Sequence, residues 1–315
     1  MVVVGTWNLE NLYRPGGEFG PRDEAAYQAK IAALAGTLAG IGPDVLGVQE
    51  VGDPDALADL VAALGGEWHT ALSRHPDARG IRVGVLSRLP VTLLDDVDAF
   101  ASPLAAVQNA DAGPGTAQTS RGMLAVRVEP GAGTTLDVAV CHLKSKLLSF
   151  PGGRFQARDE GERARYGAYA LYRRAAEATT LRGLADRLVG GHGQERPVVV
   201  LGDFNDEPQA ATTQIVLGPP GSELGTAGAL RPDRGDGWRL WNLATLIPEA
   251  ERFSRRHNGQ GELIDHILAS RALIEHVEEI RSVVGHGLPS ITEDPAARRD
   301  AADSDHAPII ARFRL

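Results

Sequence analysis

Cysteine is nearly missing from this chain: Cys141 is the one example in 315 residues, which excludes an intramolecular disulfide framework and a thiolate zinc cluster. Aromatic residues make up only 5%, so the core has to come from Val, Leu, Ala and Ile within a hydrophobic share of 43%. No apolar run reaches the length of a membrane-spanning helix. The start, Met1-Val2-Val3-Val4-Gly5, carries neither a basic leader nor a small-residue cleavage site, so a cytoplasmic, soluble protein is expected. Positive charge is short as well. A net charge of −9 weighs against a nonspecific nucleic-acid coat but leaves room for a local basic rim. With no internal repeat, low-complexity tract or Ser- or Pro-rich hinge, residues 1–315 are expected to form one domain.

What the chain does have is a conspicuous stretch at Val198-Val199-Val200-Leu201-Gly202-Asp203-Phe204-Asn205-Asp206-Glu207-Pro208. Four branched apolar residues read as a buried strand that runs into two carboxylates bracketing an amide, and Pro208 ends the element. A carboxylate at the mouth of a buried strand is costly unless a metal, a cation or hydrogen-bond donors meet it. Elsewhere, helical periodicity covers Asp23 to Leu38, Pro54 to Leu64 and the long Asp159 to Val189. Strands are expected at Val2 to Val4, Asp44 to Val51, Gly80 to Leu86, Leu124 to Val128, Leu136 to His142, Leu263 to Leu268 and Ala307 to Phe313. Ser102 to Ser120 reads as a surface excursion. This order is neither pure βαβ nor all-β, and it fits mixed sheets with helices outside.

Polar groups recur at one kind of place, the ends of apolar strands: Asn8 and Glu10, Glu50, His142, Asp203 and Asn205, and Asp305-His306. Ligands of α/β folds collect at strand ends. Singly, each has a plain structural reading: Asn8 as a turn former, Glu50 as a surface charge, Asp265 as an acceptor for backbone amides. Together they offer oxygen ligands, two imidazoles and no thiolate, a set that selects Mg²⁺ or Mn²⁺ over Zn²⁺. Strand alternation turns Cys141 and His266 away from that set, to packing roles. Asp206 reads as a turn residue before Pro208. His69, His75, His192, His257, His276 and His286 have no supporting neighbours.

Six segments carry a resemblance: Thr6-Trp7-Asn8-Leu9-Glu10-Asn11, Val48-Gln49-Glu50-Val51, His142-Leu143-Lys144-Ser145-Lys146, Gly202-Asp203-Phe204-Asn205-Asp206, Leu263-Ile264-Asp265-His266 and Ser304-Asp305-His306-Ala307-Pro308. In this order they resemble the motifs of the endonuclease/exonuclease/phosphatase, or deoxyribonuclease I-like, superfamily. His142 is similar to its His-containing branch rather than to the abasic-site endonucleases. The resemblance implies an α/β fold, a four-layered sandwich of two mixed sheets packed face to face and flanked by helices. It also implies Mg²⁺-dependent attack of water on a phosphate ester. On the matching positions, Glu50 would be the principal metal ligand, with Asn8, Glu10 and Asp305 lining the same site. Asp203 and Asn205 would hold or activate the water, while His306, paired with Asp265, and His142 would contact the scissile phosphate. Whether Asp203 or His306 takes the proton stays open.

Arg and Lys are dense between Lys144 and Arg187, and again at Arg252, Arg255 and Arg256. As a rim beside a metal site they suit a polyanion; as an Arg–Glu helix face they are merely solvated. Lys144, Lys146 and Arg154, in the loop directly after His142, favour the first reading, so Lys144, Arg154 and Asn8 are candidate contacts to substrate phosphate. The interleaved Phe150, Phe155, Tyr166, Tyr169 and Tyr172 either stack on bases or pack as core. The leading expectation is a nuclease acting on DNA, with no obligate protein partner. The alternatives are a phosphatase of a small phosphorylated metabolite and a non-catalytic scaffold.

Overall fold

The computed structural model describes residues 1–131, 133–229, 231–285, 288–292 and 297–315. The chain runs β1 (Val2–Leu12), α1 (Glu24–Ile41), β2 (Val45–Val51), α2 (Pro54–Leu64), β3 (His69–Leu72), β4 (Arg82–Ser87), β5 (Val91–Ala99), β6 (Gln118–Gly131) and β7 (Thr134–His142). It continues with α3 (Glu160–Val189), β8 (Val198–Asp203), α4 (Ala211–Leu217), β9 (Leu240–Asn242), β10 (Arg255–His257), β11 (Gln260–Glu262) and β12 (Asp265–Ser270). The last elements are α5 (Arg271–Ile274), β13 (Val277–Ser282), β14 (Ser290–Ile291) and β15 (Ile309–Phe313).

Two six-stranded sheets, ordered β13-β15-β1-β2-β4-β3 and β5-β6-β7-β8-β12-β9, carry the fold. Their inner faces meet in one aliphatic core: Val4, Val45, Val83 and Val85 from the first sheet pack with Val126, Val138, Val140 and Leu201 from the second. The outer face of the first sheet is covered by Ile31, Leu34 and Leu38 of α1 and Leu57 and Leu60 of α2. That of the second is covered by Leu181, Leu184 and Leu188 of α3. The result is the expected helix–sheet–sheet–helix sandwich.

Local chemistry sets the helix ends. Asp23 and Asp159 accept from the amides of Ala26 and Glu162 at 2.9 and 2.8 Å, capping α1 and α3. Gly42 and Gly190, both left-handed, close them. Of the strands that the sequence pattern failed to reveal, β3, β5 and β13 are edges of the two large sheets, while β9, β10, β11 and β14 are only two or three residues long. An edge strand has one neighbour and a wet side, so its apolar alternation is diluted: β5 carries Asp95, Asp96 and Asp98. Residues 118–120, expected in a surface excursion, instead begin β6.

Two glycines permit close approach, Gly47 between the sheets and Gly202 between neighbouring strands of one sheet. Gly47 lies under Leu201 of the opposite sheet, where a Cβ would overlap the leucine methyl. Gly202 has φ +142°, and a Cβ there would strike the carbonyl of Cys141 on β7. Removing side-chain volume at Leu201 should cost about 2–5 kcal/mol, and adding it with Gly47→Ala about 1–3 kcal/mol. The two sites share one space, so the double variant is expected to lose less than the sum in urea denaturation. Cys141 is fully buried in the α3-side core, and burial pushes its thiol well above its ordinary value. It should resist iodoacetamide in the native protein and react on unfolding, as read by mass spectrometry.

Candidate active site

Strand register assembles the site. β7 and β8 run parallel with His142 opposite Asp203, and β12 runs antiparallel to β8 with Asp265 opposite the same Asp203. A histidine and two aspartates from three distant segments thus stand in one row across neighbouring strands, all buried. In the first sheet β1 and β2 are parallel, with Asn8 beside Gln49, and this brings the Glu50 end of β2 to the same edge.

Asp203 is the hub. Its Oδ1 accepts from the Asn205 amide at 2.8 Å, and its Oδ2 accepts from Asn8 Nδ2 at 3.1 Å and lies 3.4 Å from His142 Nε2 and 4.0 Å from His306 Nε2. Burial, and then the charge of Asp265, raise its pKa above the usual carboxylate range. On its far side Asn8 Nδ2 also donates to Glu50 Oε1 at 3.2 Å, while Glu50 Oε2 accepts from the Asn11 amide at 2.9 Å.

The two histidines are held in opposite states. Arg121 Nη1 donates to His142 Nδ1 at 2.5 Å, which leaves the ring proton on Nε2, facing Asp203. Burial, reinforced by the Arg121 charge, keeps that imidazole well below its ordinary pKa and therefore neutral. His306 Nδ1 donates to Asp265 Oδ2 at 2.6 Å. Burial opposes its charge, but Asp265, Asp305 and Asp203 outweigh burial and raise it to about 10. The remaining oxygen of Asp265, Oδ1, is buried without a hydrogen-bond partner among the described residues. Asp203, Asp265 and His306 bring ligand atoms within 4.8 Å of one another, a spacing that a cation could bridge. The imidazole nitrogen facing Asp265 is, however, already committed to it.

Backbone strain is concentrated here. Of the five non-glycine residues with positive φ among those described, four are Glu10, Asn11, Glu50 and Asn205. The last motif is sewn onto the first strand: Ser304 Oγ donates to the Asn8 carbonyl at 2.7 Å, the His306 amide to Ser304 Oγ at 3.0 Å, and Trp7 Nε1 to the His306 carbonyl at 2.8 Å.

Beyond the row opens a cleft of about 720 Å³, whose lining includes Glu10, Asn11, Lys30, Asp77, Arg121, Lys144, Tyr166, Arg173 and Arg298. Glu10 is reached by Arg298, whose Nε and Nη2 donate to its two oxygens at 2.7 and 2.9 Å; the Asp305 amide adds a third bond at 2.9 Å. Arg154 does not line this cleft. Glu162 holds its guanidinium at 2.7 Å and the ring of Phe150 lies under it, so it fastens the loop after β7 onto α3. Asp206 does more than turn the chain: it accepts from Thr212 and pairs with Arg174 and Lys146, both at 3.1 Å. His266 bonds the Asp206 carbonyl at 2.8 Å, in a packing role. Tyr166 and Tyr169 are in ring contact and largely core. His286 lies outside the described residues.

Sequence reading missed Arg121 and Arg298. Arg121 stood next to a stretch taken for a loop; its one signal is that it sits on β6, two strands from β8. Arg298 sits in a helixless, charge-rich segment with no period at all.

A sequence model of the Endonuclease/Exonuclease/phosphatase family matches residues 5–306. The chain belongs to that family. Solved structures with the same fold include the human Nocturnin catalytic domain with bound sulfate, 17% identical, with 99% of this chain and 94% of that one aligned at a TM-score of 0.55. A Bacteroides thetaiotaomicron mannosyl-6-phosphatase is 15% identical over 100% of both chains, TM-score 0.59. ANGEL2, a 2′,3′-cyclic phosphatase, is 15% identical over 100% and 95%, TM-score 0.59. No curated protein matches in sequence.

For this family member the Glu10–Arg298 pair gives a direct check. Arg298→Ala leaves a buried carboxylate facing Asp305, and should cost about 2–4 kcal/mol in urea denaturation. Adding Glu10→Gln should recover part of that loss, because it removes the buried carboxylate, though Lys30 then loses the Glu10 charge that favours its own.

Proposed function

We propose that this phosphoric ester hydrolase is a divalent-metal-dependent phosphodiesterase that cuts nucleic acid, DNA in the first instance. One observation carries the reading: the in-register row His142–Asp203–Asp265, with His306 locked onto Asp265, is joined through Arg121 to a cleft lined by more cations than carboxylates although the whole protein is acidic.

The donors present fit a hard cation. Glu50 would hold Mg²⁺ or Mn²⁺ through its carboxylate, with Asp305 as a second oxygen donor and no sulfur at hand. Asn8 turns Nδ2 toward Glu50 and its Oδ1 to the Glu10 amide at 2.9 Å, so it would join only by turning its amide over. Glu10, which the motif adds to this set, is already neutralised by Arg298, so its share is the smallest. A bound cation supplies charge neutralisation on the non-bridging oxygens and leaving group.

The chain's own groups would do the rest. Asp203, with its raised pKa and its Oδ1 fixed by the Asn205 amide, is suited to orient a water and accept its proton. Asn205 Nδ2 donates to the Leu143 carbonyl at 3.0 Å, which ties the water-positioning turn to the His142 strand. His142 presents a neutral Nε2–H to a phosphate oxygen. His306 enters as an imidazolium, oriented by Asp265, and stabilises negative charge growing on the phosphate. A charged His306 is not a base, so the proton falls to Asp203.

The size of the cleft favours a second reading. At about 720 Å³ it lies within the range of small-molecule pockets, as a phosphatase of a small metabolite would have. The two part on substrate: Mg²⁺- or Mn²⁺-dependent nicking of plasmid DNA on one side, phosphate release from sugar or polyol monoesters on the other. Nicking is the expected result, EDTA should abolish it, and its absence under both metals contradicts the first reading. Asp203→Asn and Asp265→Asn should each lower kcat by about 10²–10⁴. Full activity in both would remove Asp203 and Asp265 from the chemistry, whereas a wild type that hydrolyses no ester with either metal would return the chain to a binding scaffold.

A further inference from the structure

We infer that Arg121, Lys144 and Arg173 form a subsite for a second phosphate of the substrate, neighbouring the scissile one, so that the preferred substrate carries adjacent phosphates rather than a single isolated one. This rests on the phosphoesterase reading of the row and specifies its substrate.

The subsite is a built structure rather than a scatter of surface charge. Its frame is Glu177 of α3, buried and shared by three segments. Its Oε1 accepts from the Ser120 amide and hydroxyl, both at 2.6 Å, and lies 3.3 Å from Arg173 Nε; its Oε2 accepts from the Lys144 amide at 2.5 Å. The start of β6, the loop after β7 and the long helix are thereby fixed together, and all three present a cation to the cleft.

Those cations exceed the acids that hold them. Arg121 pairs with Asp77 at 3.2 Å, Arg173 with Glu177, and Arg174 and Lys146 share Asp206. Lys144 is left over. Its ammonium donates only to the carbonyls of Ser145 and Leu147, at 3.0 and 3.1 Å, and makes no ion pair with a side-chain carboxylate among the described residues. Arg121, Lys144 and Arg173 thus line the cleft with only Asp77 and Glu177 as side-chain carboxylate partners, in a protein whose net charge is −9. Burial, and then the neighbouring Arg121, depress Lys144 to about 8, a cost that an anion at this point would relieve.

Arg121 joins the subsite to the chemistry. It lines the cleft and also donates to His142 Nδ1, so an anion on the cleft side of Arg121 stands next to the one that His142 would contact. Fixed charges at that place select substrates by a second charge and not by base identity.

The test compares paired substrates that differ by one phosphate. For thymidine dinucleotides with and without a 5′-phosphate, kcat/KM should favour the phosphorylated one by about tenfold or more. Lys144→Gln and Arg173→Gln should each collapse that ratio, and Lys144→Arg should retain most of it. 2,3-Bisphosphoglycerate against 2-phosphoglycerate, with the phosphates on neighbouring carbons, is the second pair: a preference appearing there instead keeps the subsite and assigns it to small bisphosphates. A ratio near one in both pairs, or a ratio unmoved by both Gln variants, overturns the subsite. If wild type cleaves nothing, including bis(p-nitrophenyl) phosphate with Mg²⁺ or Mn²⁺, the catalytic reading fails on its own. Calorimetric titration with inorganic phosphate then decides the subsite: affinity lost by about tenfold in the Gln variants supports it, and equal affinity overturns it.

Discussion

A carboxylate buried at the end of a central strand is the constraint on which this molecule turns. Asp203 is closed off from water, and the surrounding fold answers that cost: an amide at Oδ1, the Asn8 side chain at Oδ2, and a histidine on each side. Those answers come from both sheets. The sandwich therefore has to hold β1 against β8 to within hydrogen-bond tolerance, which the close contact of Gly47 with Leu201 permits. Stability and chemistry draw on the same geometry. The positive-φ residues Glu10, Asn11, Glu50 and Asn205 show where the backbone yields to it.

Charge is arranged in the same way, against the composition. An acidic chain gathers Arg121, Lys144, Arg173, Lys30 and Arg298 around one cleft. The Glu10–Arg298 pair removes one carboxylate from the cation side, and Asp265 converts His306 into a fixed positive charge. The site is thus a set of opposed charges with a channel between them, suited to an anionic ester.

Much of this was legible in the chain. Short apolar runs ending in Asp, Asn, His or Glu gave the central strands and the candidate residues that gather at their ends, because a buried strand permits such residues only where something meets them. Asp265 beside His306 and Asp203 beside Asn205 are pairings of this kind. What escaped had no such signal. Arg121 and Arg298 act through long side chains reaching from segments without period, and a guanidinium's target cannot be told from its position in sequence. Arg154 failed in the opposite way: adjacent to a motif, it was spent on Glu162. The edge strands β3, β5 and β13 were hidden by their own wet faces.

The most direct measurement is the anomalous signal of Mn²⁺ in crystals of the protein soaked at neutral pH. One strong peak is expected within ligand distance of the Glu50 carboxylate, with Arg298 still on Glu10 and His306 still on Asp265. A peak seated instead between Asp203, Asp265 and His306, with the His306–Asp265 hydrogen bond broken, would contradict it.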